Sequence, residues 1–324
     1  MTQPVRVAVV GVGHAGSLHA QVYAKLASKA SLVAVCDTNA SRAREVATSL
    51  GCRAVTDVRE LLGTIEAASV AVPTSAHHAV GKVFLEAGVH VLMEKPIARS
   101  LSEADSLLAS ARRRRLVLQV GHIERFNAAI KAAQRYLTHP RFIEVHRLSP
   151  YPFRGTDVSV VLDVMIHDLD LVLALVRSKP TRIDALGVPV ISPSEDVANA
   201  RLAFASGCVA NLTASRVNDE TIRRMRLFQE DCYLSIDYKH QTVSLARKMG
   251  ATIIRKSLDV QRKPPLDEQL TAFLHAVQHR QRPLVSGEEA REVLKLSLAI
   301  EQAMRRSRAK QKARSAALGA RRFG

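Results

Sequence analysis

Along the first 120 residues, short β-branched runs alternate with stretches of helical spacing. Residues 5–10, 32–36, 69–72, 89–93 and 117–120 read as strands, and 14–29, 41–50, 76–87 and 102–113 as the helices between them. Strands alternating with helices imply right-handed crossovers and a parallel sheet. The N-terminal part is therefore expected to be a doubly wound α/β domain.

From about residue 142 the apolar positions recur every second residue, at 142–148, 181–190, 197–204, 209–217, 232–237 and 242–246. The turn signals between them, Ser206-Gly207, Glu230-Asp231 and Lys239-His240, are short, as hairpins require. This predicts a C-terminal α+β domain with a large, mostly antiparallel sheet, plus helices at 126–138 and 163–177. A long helix closes the chain: Ser286 and Glu289 form a capping box ahead of Leu294, Leu298 and Ile300. The expected division is 1–121, 122–304 and a basic tail, 305–324.

Composition narrows the class. A chain of 324 residues, 47% apolar and 24% charged, is long enough for two cores and is neither disordered nor fibrous. Its four cysteines form no C-x-x-C pair, which excludes a zinc ribbon, a thioredoxin motif and a disulfide framework and fits a reducing cytoplasm. No apolar run approaches a membrane span and no signal-peptide pattern is present, so neither insertion nor secretion is expected.

The net charge of +17 suggests an anionic partner, a nucleotide, a nucleic acid or a phospholipid surface. Residues 305–324 change that reading, since they hold eight basic and no acidic residues, nearly half of the excess. With aromatics at 4% and no Trp to stack on bases, a solvated tail is expected and no nucleic-acid partner. The arginine run 112–115 closes a helix, where it complements the dipole.

Gly11-Val12-Gly13-His14-Ala15-Gly16 follows the first strand and opens a helix, the context in which G-x-G-x-x-G binds a dinucleotide. Gly11 permits the tight turn, Gly13 the approach of a pyrophosphate, and Gly16 close packing of helix on strand. Asp37 ends the next strand, where a carboxylate accepts from ribose hydroxyls. That favours NAD; Arg42 on the following helix keeps NADP as the lesser alternative.

Further motifs follow in order. His19 extends the glycine loop to G-x-G-x-x-G-x-x-H; Pro73, Thr74 and His77 lie in a second element; Glu94-Lys95-Pro96 follows; then Gly121 with Arg125-Phe126-Asn127; then Asp163, His167 and Asp170. Together they resemble the Gfo/Idh/MocA oxidoreductases over nearly the whole chain. The resemblance implies a Rossmann domain whose cofactor contacts come from Gly11, Gly13, His14, Ala15, Gly16, Asp37, Arg42, Pro73, Thr74, His77, Glu94 and Lys95. It also implies substrate contacts from Arg125, Asn127, Asp163 and His167, a catalytic trio of Lys95, Asp163 and His167, and a homodimer or homotetramer built on open sheet faces.

The chemistry agrees. Oxidising a secondary alcohol needs a group of tunable pKa to take the hydroxyl proton while hydride leaves the carbon. Asp163 and His167 are four apart on a predicted helix, so the carboxylate can orient the imidazole as a base. Lys95 follows a parallel strand at the carboxyl edge of the sheet, where its ammonium can position the hydroxyl. Nicotinamide chemistry needs no metal, and Asp163, His167 and Asp170 have no further convergent ligand, so none is expected.

The third motif departs from the sugar and inositol dehydrogenases: Val160-Val161-Leu162 precede Asp163, Met165 replaces a usual glycine, and Ala128 a frequent proline. With the stretches 121–127 and 149–158, it resembles the branch that oxidises the 3-hydroxyl of UDP-N-acetylglucosamine. That implies a 3-keto nucleotide sugar for an aminotransferase to take up, a precursor of the diamino sugar of some lipid A types. Arg125, Arg147, Arg154 and Arg216 are candidate partners for the two phosphates. The alternatives are a UDP-hexosaminuronic acid, another sugar or inositol, or a non-catalytic NAD(P)-binding regulator.

Overall fold

The computed structural model describes residues 3–151 and 158–320, with side chains in the closing helix to residue 311. Arg154 and most of the 149–158 stretch lie outside the described residues, as do 321–324. The chain divides into two compact units: residues up to Phe126 with Lys263–Leu294, and Asn127–Arg262 with the residues from Lys295 on.

Six parallel strands form the first unit's sheet in the order β3-β2-β1-β4-β5-β6: β1 (Val5–Val10), β2 (Ala30–Cys36), β3 (Arg53–Val55), β4 (Ala67–Val70), β5 (His90–Met93) and β6 (Leu118–Val120). The linking helices are α1 (His14–Lys25), α2 (Ala40–Leu50), α3 (Thr74–Glu86) and α4 (Leu101–Arg114). Their starts follow local signals. Asn39 accepts from the Arg42 amide at the head of α2, and Ser100 from the Glu103 amide at the head of α4. Strand β3 escapes sequence reading because three residues are too few to show a period.

The chain leaves this unit at Phe126 and returns to it. Helix α7 (Pro265–His279) buries Leu270, Phe273, Leu274 and Val277 in the same core as Val7, Val9, Val35 and Leu92. A division in chain order at 121 and 304 differs from these units for that reason: the apolar face of α7 covers strands laid down at the start of the chain.

The second unit holds α5 (Ala128–Gln134), α6 (Ile166–Val176) and an eight-stranded sheet: β7 (Phe142–Leu148), β8 (Pro180–Val188), β9 (Val197–Phe204), β10 (Val209–Ser215), β11 (Ile222–Phe228), β12 (Cys232–Asp237), β13 (Thr242–Met249) and β14 (Thr252–Ser257). Their order is β14-β13-β12-β11-β7-β10-β9-β8, and every neighbouring pair is antiparallel except β7 with β10. Val145, Leu212, Met225 and Leu234 bury one face, while the other carries polar residues such as Glu144 and Arg226, paired at 2.8 Å. Strand β11 is unexpected because Arg223, Arg224 and Arg226 interrupt its apolar alternation; β14, exposed throughout, has no alternation to read.

The last helix, α8 (Gly287–Ala320), begins at the expected capping box: the Ser286 amide donates to Glu289 Oε2 at 3.0 Å and the Glu289 amide to Ser286 Oγ at 3.3 Å. It continues through residue 304, so the basic segment from 305 is not a separate tail. No proline or glycine interrupts the sequence between Gly287 and Gly319. No helix among the described residues is long and apolar enough to cross a membrane.

Candidate active site

The carboxyl ends of β1, β2, β4, β5 and β6 bring the first unit's motifs to one edge. Gly11 leaves β1 with φ +82°, and a Cβ there would lie 2.6 Å from the Ala71 carbonyl oxygen. At Gly16 a Cβ would sit 1.7 Å from the Gly11 oxygen, whereas at Gly13 nothing lies within 4 Å. Gly11 and Gly16 thus close the turn onto the helix, and Gly13 leaves its outer side open to a ligand. His14 and Ala15 are exposed on the first turn of α1, which has no side-chain cap and no acidic residue. Its amides are oriented for an anion. These features fit a dinucleotide pyrophosphate.

Asp37 is fixed beside this loop by two amides: Val12 N–H donates to Oδ2 and Asn39 N–H to Oδ1, each at 2.9 Å. Each oxygen retains capacity to accept a ribose hydroxyl. Arg42 is exposed on the first turn of α2.

Pro73 and Thr74 start α3. His77 does not supply the direct cofactor contact expected of it, because it is buried with both nitrogens against backbone carbonyls: Nδ1 is 2.8 Å from Pro96 O and Nε2 2.9 Å from Val72 O. Its work is positional, tying the end of β4 to the Lys95-Pro96 loop. Burial lowers its pKa, against the pull of those carbonyls and of Glu94 and Glu103.

Glu94 and Lys95 follow β5 and are half-buried. Glu94 lies 3.4 Å from His19 Nε2 and accepts from the Lys95 amide at 3.3 Å. Burial raises the Glu94 carboxyl, but the hydrogen bond from His19, the His19 and Lys95 charges and the Lys95 amide together hold it below the usual carboxylate range. A Cβ on Gly121 would lie 2.4 Å from Glu94 Oε1, so glycine there admits the carboxylate. His122 is buried beside them, and neither ring nitrogen has a partner among the described residues. Burial, with help from Lys95 and Arg125 and against Glu94, pushes it down to about 3.

Two expected substrate residues are also anchored in the fold. Arg125, which is 10% exposed, reaches Leu284 O at 3.3 Å and Glu289 Oε1 at 3.4 Å. Asn127 is buried; its Oδ1 caps α5 by accepting from Ala129 N–H, and its Nδ2 donates to Tyr238 O at 3.0 Å.

In the second unit, Asp163 lies in a π-helical turn, Val161–Met165, where sequence spacing predicts plain α-helix; the Ile166 amide donates to Val161 O. Such widened turns concentrate at functional sites. His167 follows in the first turn of α6, and both side chains are half-buried.

Arg147 and Arg216 are not placed to meet phosphates. Arg147 Nε and Nη2 donate to Asp168 Oδ2 and Oδ1 at 2.7 and 3.0 Å, and its guanidinium lies 5.4 Å from the Tyr238 ring centre. Arg216, with no exposed side-chain surface, donates to Asp196 Oδ1, Val158 O and Ser194 Oγ. Sequence reasoning missed Asp168; the available signal was an acid followed by Leu169, Leu171 and Val172, since a buried carboxylate demands a cationic partner.

Residues 5–122 match the model of an oxidoreductase family with an NAD-binding Rossmann fold, and residues 132–234 that of the GFO/IDH/MocA C-terminal domain. The chain is 40% identical over 303 residues to UDP-N-acetylglucosamine 3-dehydrogenase of Acidithiobacillus ferrooxidans, covering 91% of this chain and 96% of that one. A solved structure of that enzyme superposes with a TM-score of 0.89 at 39% identity, covering 93% and 98% of the two chains. The fold also matches an Azotobacter vinelandii inositol dehydrogenase homologue solved with NADH and myo-inositol, with a TM-score of 0.83 at 20% identity over 94% and 96% of the chains. The chain belongs to the Gfo/Idh/MocA family of NAD-binding oxidoreductases.

Proposed function

We propose that the protein oxidises the 3-hydroxyl of UDP-N-acetylglucosamine with NAD. The observation that carries this reading is 40% identity, over nearly the full length of both chains, to a dehydrogenase of that specificity. His167 takes the hydroxyl proton as C3 gives up hydride, Asp163 orients the imidazole, and Lys95 holds the oxygen as alkoxide character develops. NAD, when bound, supplies the acceptor for that hydride.

Asp37 supports the choice of NAD, since a carboxylate at the adenosine ribose favours a free 2′-hydroxyl over a 2′-phosphate. Arg42 is the residue that would serve NADP. The 3-keto product suits uptake by an aminotransferase, and association of copies through the open face of the eight-stranded sheet completes the reading. The four cysteines and the lack of a membrane-crossing helix among the described residues support a cytoplasmic setting.

Purified protein incubated with UDP-N-acetylglucosamine and NAD, or NADP, with glutamate and an aminotransferase to draw off the ketone, tests the proposal by mass spectrometry. Loss of two hydrogens, or appearance of the 3-amino sugar, with NAD is the expected result. An unchanged sugar despite measured NAD binding overturns the substrate. Lys95→Met that binds NAD normally and still turns over overturns the role of Lys95.

A further inference from the structure

A second concentration of cationic groups lies at the other edge of the parallel sheet, where β6 begins. Arg112 and Arg115 come from the end of α4, Arg280 from the end of α7 and Arg282 from the loop into α8, and all four line one cavity of about 370 Å³. Leu108 and Leu118 contribute an apolar floor, and Glu288 is the one carboxylate in the lining. The floor is closed by the start of α8: a Cβ on Gly287 would sit 2.8 Å from Leu108 and 3.0 Å from Leu118, so the backbone packs directly on both.

The arginines are unequally engaged. Arg112 pairs with Glu288 at 3.0 Å; Arg282 lies 3.1 Å from Ser286 Oγ and 3.9 Å from Glu289. Arg115 and Arg280 make no ion pair among the described residues. Complementing the α4 dipole accounts for arginines on α4. It does not account for Arg280 and Arg282 converging, from another helix and a loop, on the same cavity.

We propose that this cavity binds a small organic polyanion, a molecule with two phosphate or carboxylate groups beside a compact apolar portion. Guanidinium forks from separate elements suit bidentate contact with such oxygens, and the volume lies within the range of small-ligand sites. The glycine loop stands at the carboxyl ends of the same strands, whereas Arg115 precedes β6, so the two sites are separate.

Calorimetric titration of the full chain with inorganic pyrophosphate, in saturating NADH to fill the dinucleotide loop, tests this. We expect one residual site per chain, weakened at least tenfold by Arg115→Ala/Arg280→Ala and unchanged by Arg113→Ala/Arg114→Ala, which removes equal charge outside the cavity. NADH affinity should be the same in all three proteins, which also shows that the variants are folded. No residual binding, binding that survives Arg115→Ala/Arg280→Ala, or equal loss in both double variants would overturn the proposal.

Discussion

Arg147 and Asp168 meet as a two-bond ion pair, at 2.7 and 3.0 Å, with both side chains almost wholly withdrawn from water. Asp168 adjoins His167 in the first turn of α6, so the pair anchors the turn that carries the proposed base. Removing one partner of a buried pair strands a charge and costs about 3–5 kcal/mol, whereas replacing both with apolar groups is often neutral. Arg147→Met is expected to lose that much stability in urea unfolding, and Arg147→Met/Asp168→Leu to regain most of it. A double variant no more stable than the single would show that the charge pair is not the source.

The glycine loop separates fold from binding. Gly13→Ala meets nothing within 4 Å and has an ordinary φ of −66°, so stability should change by less than about 0.5 kcal/mol while NAD affinity falls. Gly16→Ala collides with the Gly11 carbonyl and should cost about 1–3 kcal/mol or more. Unfolding curves and NADH fluorescence titration of both variants check the contrast.

Asp37 should govern cofactor choice. Hydrogen bonds to a charged group are worth about 1.5–3 kcal/mol, so Asp37→Ser should weaken NAD by about 10- to 100-fold. NADP, which the carboxylate repels, should lose far less or gain. Parallel titrations with the two reduced cofactors measure this, and equal weakening of both would remove Asp37 from discrimination.

Three histidines, His77 and His122 buried and His90 half-buried, set a pH window. Burial lowers His77, His90 and His122, the last to about 3, so the folded chain holds them neutral while the unfolded chain takes up protons near pH ~6.5. Their stabilising contribution is therefore complete above that value and is lost as pH falls from it towards the folded values. The urea midpoint should be flat from pH 8 to ~7 and fall steadily towards ~5, and His122→Asn should make the fall shallower. An unchanged slope would mean that His122 is not held neutral in the fold.

Much of this was legible in sequence because strand and helix periods are local. The strands at 5–10, 142–148, 197–204 and 232–237 have the bounds their patterns imply, and the Ser286–Glu289 capping box is present. Partnership was not legible. Arg125, Arg147 and Arg216 have the residue type phosphate needs, but Glu289, Asp168 and Asp196 lie from 20 to 164 positions away and only folding brings them together. Helix α7 went unread although Leu270, Phe273, Leu274 and Val277 have helical spacing, and nothing local says that its face covers strands formed more than 150 residues earlier.

The return of the chain at Lys263 also sets the timing of biosynthesis. When Phe126 leaves the ribosome, the first sheet still lacks the apolar cover that α7 provides, and at about 5–20 residues per second the missing helix emerges many seconds later. During that interval the part of this core that Leu270, Phe273, Leu274 and Val277 later cover faces water or a chaperone. The nascent N-terminal unit is thus a client until the second unit has been made, and a message truncated before Lys263 would yield an aggregation-prone product rather than a free-standing nucleotide-binding domain.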